Sequence, residues 1–274
     1  MLTGARRLGV LGWPVAHSLS PRIQNAALAA AGLTEWRYQR LPVPPALFAE
    51  TVRGLPLAGL RGANVTIPHK EAALALADLP SPRAAAIGAA NTLVFGDRGI
   101  EADNTDAPAL IAALPVPAAG ARAVVLGAGG SARAAVWALA DAGAREIRVW
   151  NRTPARAVAL AGAFGASAVT ARELSAAPGA DLLINCTAVG LDGSADLDPL
   201  PLGSTGPGAY GTVVDFVYRP GGTALIATAR VAGVPAVDGL ELLVGQGALA
   251  FTRFTGRAAP LAVMRAAAGL AEPT

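Results

Sequence analysis

The run Ala123-Val124-Val125-Leu126-Gly127-Ala128-Gly129-Gly130 constrains this chain more than any other segment. Its apolar half reads as a buried strand, and Gly127-x-Gly129-x-x-Ala132 stops that strand and opens a helix over Arg133 to Ala142. Strand, glycine turn and helix in that order form the context of a dinucleotide fingerprint. The glycines permit a tight turn and close backbone approach to a pyrophosphate, and the helix N-terminus offers free N–H groups and a positive dipole end. Ala132 in the third glycine position is an accepted variant.

The rest of the chain fits such a unit into an α/β protein, because short apolar runs alternate with longer alanine-rich helical segments. Strands are predicted at Leu8 to Trp13, Gly62 to Ile67, Ile147 to Trp150, Leu182 to Asn185 and Thr212 to Phe216, with a hairpin over Asn91 to Asp103 turning at Gly96-Asp97. Ser20-Pro21 supplies an N-cap and first-turn proline for a helix through Ala30. A length of 274 residues favours two domains. The linker-like Pro115-Val116-Pro117-Ala118-Ala119-Gly120 places the boundary, giving one domain over residues 1–106, with helices of 240–274 packing back on it, and another over 107–239.

Composition excludes several classes of function. The net charge is +3 and the arginines are scattered singly, so no basic stripe argues for nucleic acid. Hydrophobic residues make up 53% of the chain, yet uncharged stretches such as Pro199 to Val214 are too short and too broken by Gly or Pro to span a bilayer. Met1 to Arg7 leads into a strand-like run without a signal-peptide core, so a cytoplasmic chain is expected. Cys186 is the sole cysteine, which leaves no intramolecular disulfide framework; it sits at a hydrophobic strand end and reads as inert core. His17 and His69 are the only histidines and read as loop-packing residues, with His69 a weaker candidate for contact near a cofactor; no metal site is expected.

Chemistry concentrates in two places. Lys70 is the only lysine among 22 Lys plus Arg. Arginine does not release its proton, whereas a partly buried lysine can be tuned to do so, which marks Lys70 as a candidate proton-transfer residue. Asp106, in Asn104-Thr105-Asp106, caps a helix or, set near Lys70, holds its ammonium and orients a substrate hydroxyl. Ser18 and Ser20 lie two residues apart at a helix start and suit a carboxylate, although Ser20 also reads as a plain N-cap. In the second half, Asn151-Arg152-Thr153 follows the strand after the glycine turn, with Arg156 one helical turn on. An NAD site usually carries Asp or Glu there, whereas two guanidiniums and a hydroxyl suit a 2′-phosphate, so NADP is favoured over NAD. Asn151 and Thr153 also read as caps of the helix beginning at Pro154.

Taken together, these blocks resemble the shikimate dehydrogenase family over nearly the full length. The likeness is carried by Ser18-Leu19-Ser20-Pro21 with Asn25, Asn64-Val65-Thr66 through Lys70, Gly88-Ala89-Ala90-Asn91-Thr92 and Asn104-Thr105-Asp106. It continues in Gly127-Ala128-Gly129-Gly130, Asn151-Arg152-Thr153, Asn185-Cys186-Thr187, Asp215-Phe216-Val217-Tyr218 with Pro220, and Gly239-Leu240 leading to Gln246. The resemblance implies an N-terminal mixed-sheet substrate domain, a Rossmann-like doubly wound NADP domain, and an active site in the cleft between them. It implies NADPH-dependent reversible reduction of 3-dehydroshikimate to shikimate by a monomer or homodimer. Lys70 and Asp106 would be the catalytic pair. Ser18 and Ser20, with Tyr218 nearby, would hold the substrate carboxylate, and Thr66, Asn91, Asp106 and Gln246 the ring hydroxyls. Gly127, Ala128, Gly129, Gly130, Ser131, Asn151, Arg152, Thr153, Arg156, Phe216 and Gly239 would hold the cofactor. Glu241 departs from the family pattern, standing where a small residue is commoner, as do Cys186 and Ala188-Val189-Gly190-Leu191. A quinate/shikimate dehydrogenase that favours quinate with NAD tends to carry an acidic residue at Arg152 and Thr at Ser20, and this chain has neither. A non-catalytic NADP-binding sensor need not keep Lys70 and Asp106.

Overall fold

The structure, a computed structural model, describes residues 6–177 and 179–271, so the first five residues of the Met1 to Arg7 stretch lie outside the described residues. Two compact units divide the chain: Met1–Asp106 with Leu243–Thr274, and Ala107–Leu242.

The first unit is built on strands β1 (Arg6–Gly12), β2 (Trp36–Pro42), β3 (Leu60–Val65), β4 (Leu79–Pro80), β5 (Thr92–Gly96) and β6 (Gly99–Asp103), in the order β2-β1-β3-β5-β6-β4. Strand β1 runs parallel to both neighbours, while β5 runs against β3 and β6, which makes the sheet mixed. The turn from β5 into β6 is a two-residue one, Asp97-Arg98, between paired Gly96 and Gly99. Alternate residues of the central β1 feed opposite cores. Leu8 and Val10 pack with Ile23, Trp36, Phe251 and Met264, and Leu11 packs with Phe48, Val52 and Leu93. Strand β3 stops at Val65, short of the expected Ile67, and the Thr66 N–H closes its ladder with β1 by donating to the Leu11 carbonyl.

The second unit carries β7 (Arg122–Leu126), β8 (Glu146–Trp150), β9 (Ser167–Ala168), β10 (Ala180–Asn185), β11 (Tyr210–Asp215) and β12 (Ala236–Val237). Their order is β12-β11-β10-β7-β8-β9, all parallel. Read from the other edge this is third, second, first, fourth, fifth, sixth, the doubly wound order, with its reversal between β7 and β10. Side chains of β7 alternate as well: Ala123 and Val125 enter one core, Val124 and Leu126 the other. The helix after the glycine turn spans Gly130–Asp141 and so begins three residues earlier than the sequence suggests. Gly130 itself forms its first turn. Among the described residues, no helix is long and apolar enough to cross a membrane.

Candidate active site

In the first unit, the C-terminal ends of the strands and the loops that follow gather a buried polar cluster. Lys70 is the first residue of helix Lys70–Ala75, and Asp106 the first of helix Asp106–Ala113. Lys70 Nζ donates to Asp106 Oδ2 at 2.6 Å, with both side chains about nine-tenths buried. A cation at a helix N-terminus is unfavourable and an anion favourable, so the pair places each beside the partner that offsets it. Asp106 is not the cap of its helix, since its own N–H donates to Asn104 Oδ1 at 3.1 Å and its carboxylate is left for Lys70 and Asn91.

Asn91 fixes the other carboxylate oxygen, donating from Nδ2 to Asp106 Oδ1 at 2.8 Å. Its orientation is set by the chain itself. The Thr105 backbone N–H, which only donates, reaches Asn91 Oδ1 at 2.8 Å, so the Nδ2 group must face Asp106. Thr92 Oγ1 also donates to Asn91 Oδ1, and Asn64 Nδ2 to Thr92 Oγ1 at 3.1 Å, while Tyr38 OH donates to Asn64 Oδ1 at 2.8 Å. Gln246 approaches the same group, its Oε1 3.5 Å from Asn91 Nδ2 and from Thr105 Oγ1. Thr66 is half-buried after β3. The structure therefore brings Lys70, Asp106, Asn91 and Gln246 into one network. Tyr38 and Gln24 are additions to the sequence reading. Gln24 is buried and donates to the Gly247 carbonyl at 2.9 Å, next to Gln246. A tyrosine at an inward strand position and a glutamine on a buried helix face read as core, and only the long-range pairing reveals them.

Ser18 and Ser20 are both buried at the start of helix Ser20–Ala30. Ser20 is not the N-cap; Leu19 holds that position and makes no side-chain cap. The cap-like bond is made by Ser18, whose Oγ accepts the Ser20 N–H at 3.3 Å, because the turn that closes Ser18 N–H onto the Val15 carbonyl winds the helix start one residue early. His69 is spent on packing. It stacks on Phe48 at 4.2 Å and bonds the Val43 carbonyl at 2.8 Å, and burial lowers its pKa from 6.5.

In the second unit, a cleft of about 520 Å³ opens at the C-terminal ends of β7, β8 and β10, beside the topological reversal. Gly127, Ala128, Gly129, Asn151 and Arg152 line it. Gly127 has φ +111°, and a Cβ there would press on the Cys186 carbonyl at 2.9 Å. A Cβ on Gly129 would meet no protein atom within 4 Å. That opening, at the N-terminus of a 12-residue helix, has the space and the free N–H groups that suit a pyrophosphate, so the residues present fit a dinucleotide. Thr153 is the N-cap of helix Pro154–Phe164 without a side-chain bond to it, and Asn151 Nδ2 donates to the Thr153 carbonyl at 3.0 Å. Arg152 and Arg156 are exposed, Arg152 in the cleft lining and Arg156 outside it. Gly130 and Ser131 form the first turn of the helix, half-buried. Phe216 packs partly buried against the core, and Tyr218 follows on the same segment of this unit. Gly239 opens helix Gly239–Thr255, where a side chain would collide with the carbonyl of Val217. Glu241 stands in that helix's first turn, where a carboxylate complements the dipole.

Cys186 corrects one expectation. It packs against the core as expected but is only half-buried and also lines the cleft, because β10 ends at Asn185. Asn185 Oδ1 accepts the N–H and hydroxyl of Thr187, which turns the chain there.

A doubly wound unit with a glycine cradle, in one chain with a mixed-sheet unit holding a buried Lys–Asp pair, defines a nicotinamide-dependent dehydrogenase by class. Comparison with known proteins narrows the class. Residues 10–93 match the shikimate dehydrogenase substrate binding domain, 112–190 match shikimate / quinate 5-dehydrogenase, and 239–268 match the shikimate 5'-dehydrogenase C-terminal domain. The shikimate dehydrogenase (NADP(+)) of Methylobacterium radiotolerans is 48% identical over 271 residues, covering 93% of each chain. That of Moorella thermoacetica is 44% identical, covering 94% of this chain and 90% of its own. The crystal structure of shikimate 5-dehydrogenase from Thermus thermophilus in complex with NADP(H) and shikimate is 42% identical with a TM-score of 0.84, covering 96% of this chain and 98% of that one. The chain belongs to the shikimate dehydrogenase family.

Proposed function

We propose that this chain catalyses the reversible NADPH-dependent reduction of 3-dehydroshikimate to shikimate, with Lys70 and Asp106 as the proton-handling pair. The observation that carries the reading is the 2.6 Å Lys70–Asp106 contact, held from the far side by Asn91, in a family whose relatives are named for this activity. When bound, NADPH supplies the hydride. The chain's own task is to hold the acid and manage the proton. An ammonium stabilises a developing alkoxide and can supply its proton, and a carboxylate fixed at both oxygens keeps the ammonium in place. Asn91, Gln246 and Thr66 address the ring hydroxyls, and Ser18 and Ser20 with Tyr218 the carboxylate. Gly127 through Ser131, Asn151, Arg152, Thr153 and Arg156, with Phe216 and Gly239, serve the cofactor. Asp192 and Asp196 also line the cleft, but each accepts a backbone N–H of its own loop, which commits these carboxylates to the turn. The partner is a small molecule, and the enzyme acts as a monomer or homodimer in the cytoplasm, needing neither nucleic acid nor membrane.

The test crosses shikimate and quinate with NADP and NAD, following the absorbance of the reduced nicotinamide. Reduction with shikimate and NADP is expected. Preference for quinate with NAD would move the chain to the quinate-using relatives. Silence in all four, with NADPH still bound, would make it a sensor.

A further inference from the structure

Three backbone positions of the turn that carries Ser18 and Ser20 offer no free donor. Pro21 has no N–H, the Ser20 N–H is taken by Ser18 Oγ, and the Ile23 N–H goes to the Leu19 carbonyl. A carboxylate bound there meets two neutral hydroxyls, which carry no charge to match its own. One cation is tied to it. Arg40, on edge strand β2 opposite Val10, donates from both Nε (3.0 Å) and Nη2 (2.7 Å) to the Ser18 carbonyl. This two-pronged bond fixes the guanidinium beside the serine turn. Among the described residues no carboxylate pairs with Arg40, so its charge is not neutralised. Its field reaches the neighbouring residue: after burial, the Arg40 cation is the second cause that lowers the His17 pKa.

We infer that Arg40 is a specificity-determining residue, which locks the Ser18 turn and supplies the fixed positive charge that selects a carboxylate-bearing substrate over its neutral counterpart. The inference rests on the reading of Ser18 and Ser20 as carboxylate donors and adds the charge that reading lacks. Both hydroxyls would accommodate an amide as readily as an acid, whereas a guanidinium favours the anion. Because Arg40 is solvent-exposed, the effect is moderate and screened by salt.

The test uses the full chain, with shikimate and its primary carboxamide as paired substrates and NADP as oxidant. Arg40→Gln is expected to raise KM for shikimate about three- to tenfold, to change kcat less than KM, and to raise the carboxamide KM clearly less, by the loss of the turn lock alone. Added salt should raise the shikimate KM of the parent protein more than that of Arg40→Gln. Arg40→Lys, which keeps the charge on a single prong, should retain most of the acid-over-amide preference. Arg22→Gln, which removes an exposed charge in the first turn of the same helix, is the control and should not copy the effect. Equal rises for both substrates would reduce Arg40 to a turn-holding residue and overturn the charge role, as would no change in either, or an Arg22→Gln variant that behaves like Arg40→Gln. Parent protein that neither binds shikimate in titration calorimetry nor oxidises it would overturn the underlying function itself, and the inference with it.

Discussion

Lys70 is the only basic side chain that the sequence keeps as an ammonium, and its geometry explains why an arginine would not serve. Its Nζ sits 2.6 Å from Asp106 Oδ2 with both groups withdrawn from solvent. A guanidinium there would be longer and planar, and it would hold its proton. Lys70→Arg should therefore lower kcat by about 10²–10⁴-fold. NADPH affinity should be unchanged, since the residues proposed to hold the cofactor are others. Stopped-flow turnover alongside fluorescence titration of NADPH checks both, and near-parent turnover would sink the proton-transfer role. How much of the cluster shows in the sequence differs residue by residue. Lys70 stands out by uniqueness and Ser18 and Ser20 by spacing. Asp106 is readable from its own segment only as a helix cap or a partner for Lys70, with nothing local to choose between them. Tyr38 is invisible, because a tyrosine at an inward strand position looks like core until β2 and β3 are both placed against β1 and it meets Asn64.

At the scale of elements, the strand–turn–helix of residues 122–141 separates two kinds of glycine that look alike in sequence. Gly127 is required by the fold: its φ is +111° and the Cys186 carbonyl lies against it. Gly129 is not, for it has an extended backbone, φ −100° and ψ −171°, and open space where a Cβ would go. Gly129→Ala should thus leave stability within about 0.5 kcal/mol while weakening NADP binding about tenfold or more, as the methyl enters the cradle. Gly127→Ala should lose stability as well, by about 1–3 kcal/mol, from backbone strain and the clash. Urea unfolding paired with NADP titration distinguishes the two, and equal stability losses would show that Gly129 is structural after all. The end of β8 makes a matching prediction. Arg152 lines the cleft without any ion pair among the described residues, and Arg152→Asp should turn phosphate attraction into repulsion. The ratio of kcat/KM for NADP over NAD should fall by about 10²-fold or more. A ratio that stays put would locate the phosphate site elsewhere, with Arg156 next to be changed. This element was legible in the sequence because its signal is local. The beginnings of its neighbours were less so: β10 and β11 start two residues early, at Ala180 and Tyr210, since pairing along a parallel sheet recruits residues that periodicity alone leaves in a loop.

Over the whole molecule, the two units respond oppositely to acid through their buried ionisable groups. In the first, burial lowers the pKa of His69 from 6.5. The unfolded chain then takes up the proton first, so this group removes stability as pH falls below about 6.5. In the second, Asp215 at the end of β11 is fully buried, and desolvation, aided by Asp238, pushes its pKa from 3.8 up to about 6. Its oxygens accept from Asn185 Nδ2 and the Val217 N–H, both 2.9 Å, and from Thr223 Oγ1 at 2.7 Å, bonds that oppose the shift without cancelling it. Here the folded state takes up the proton first, so Asp215 adds stability as pH falls through about 6, and the gain stops growing below 3.8. The clean comparison is with Asp215→Asn, whose oxygen can still accept from Asn185 and Val217 while its amide faces a hydroxyl oxygen able to accept. Between pH 7 and pH 5 the parent should gain about 1 kcal/mol relative to this variant. Over the same interval it should lose stability relative to His69→Phe, which keeps the stack on Phe48 without a titrating ring. Hydrogen exchange read peptide by peptide assigns each change to its unit: the first to the peptides of β10 and β11, the second to those of β1 and β3. A parent-minus-variant difference for Asp215→Asn that stays flat across that interval would mean that the carboxylate remains ionised in the fold. Its three hydrogen bonds would then outweigh its burial.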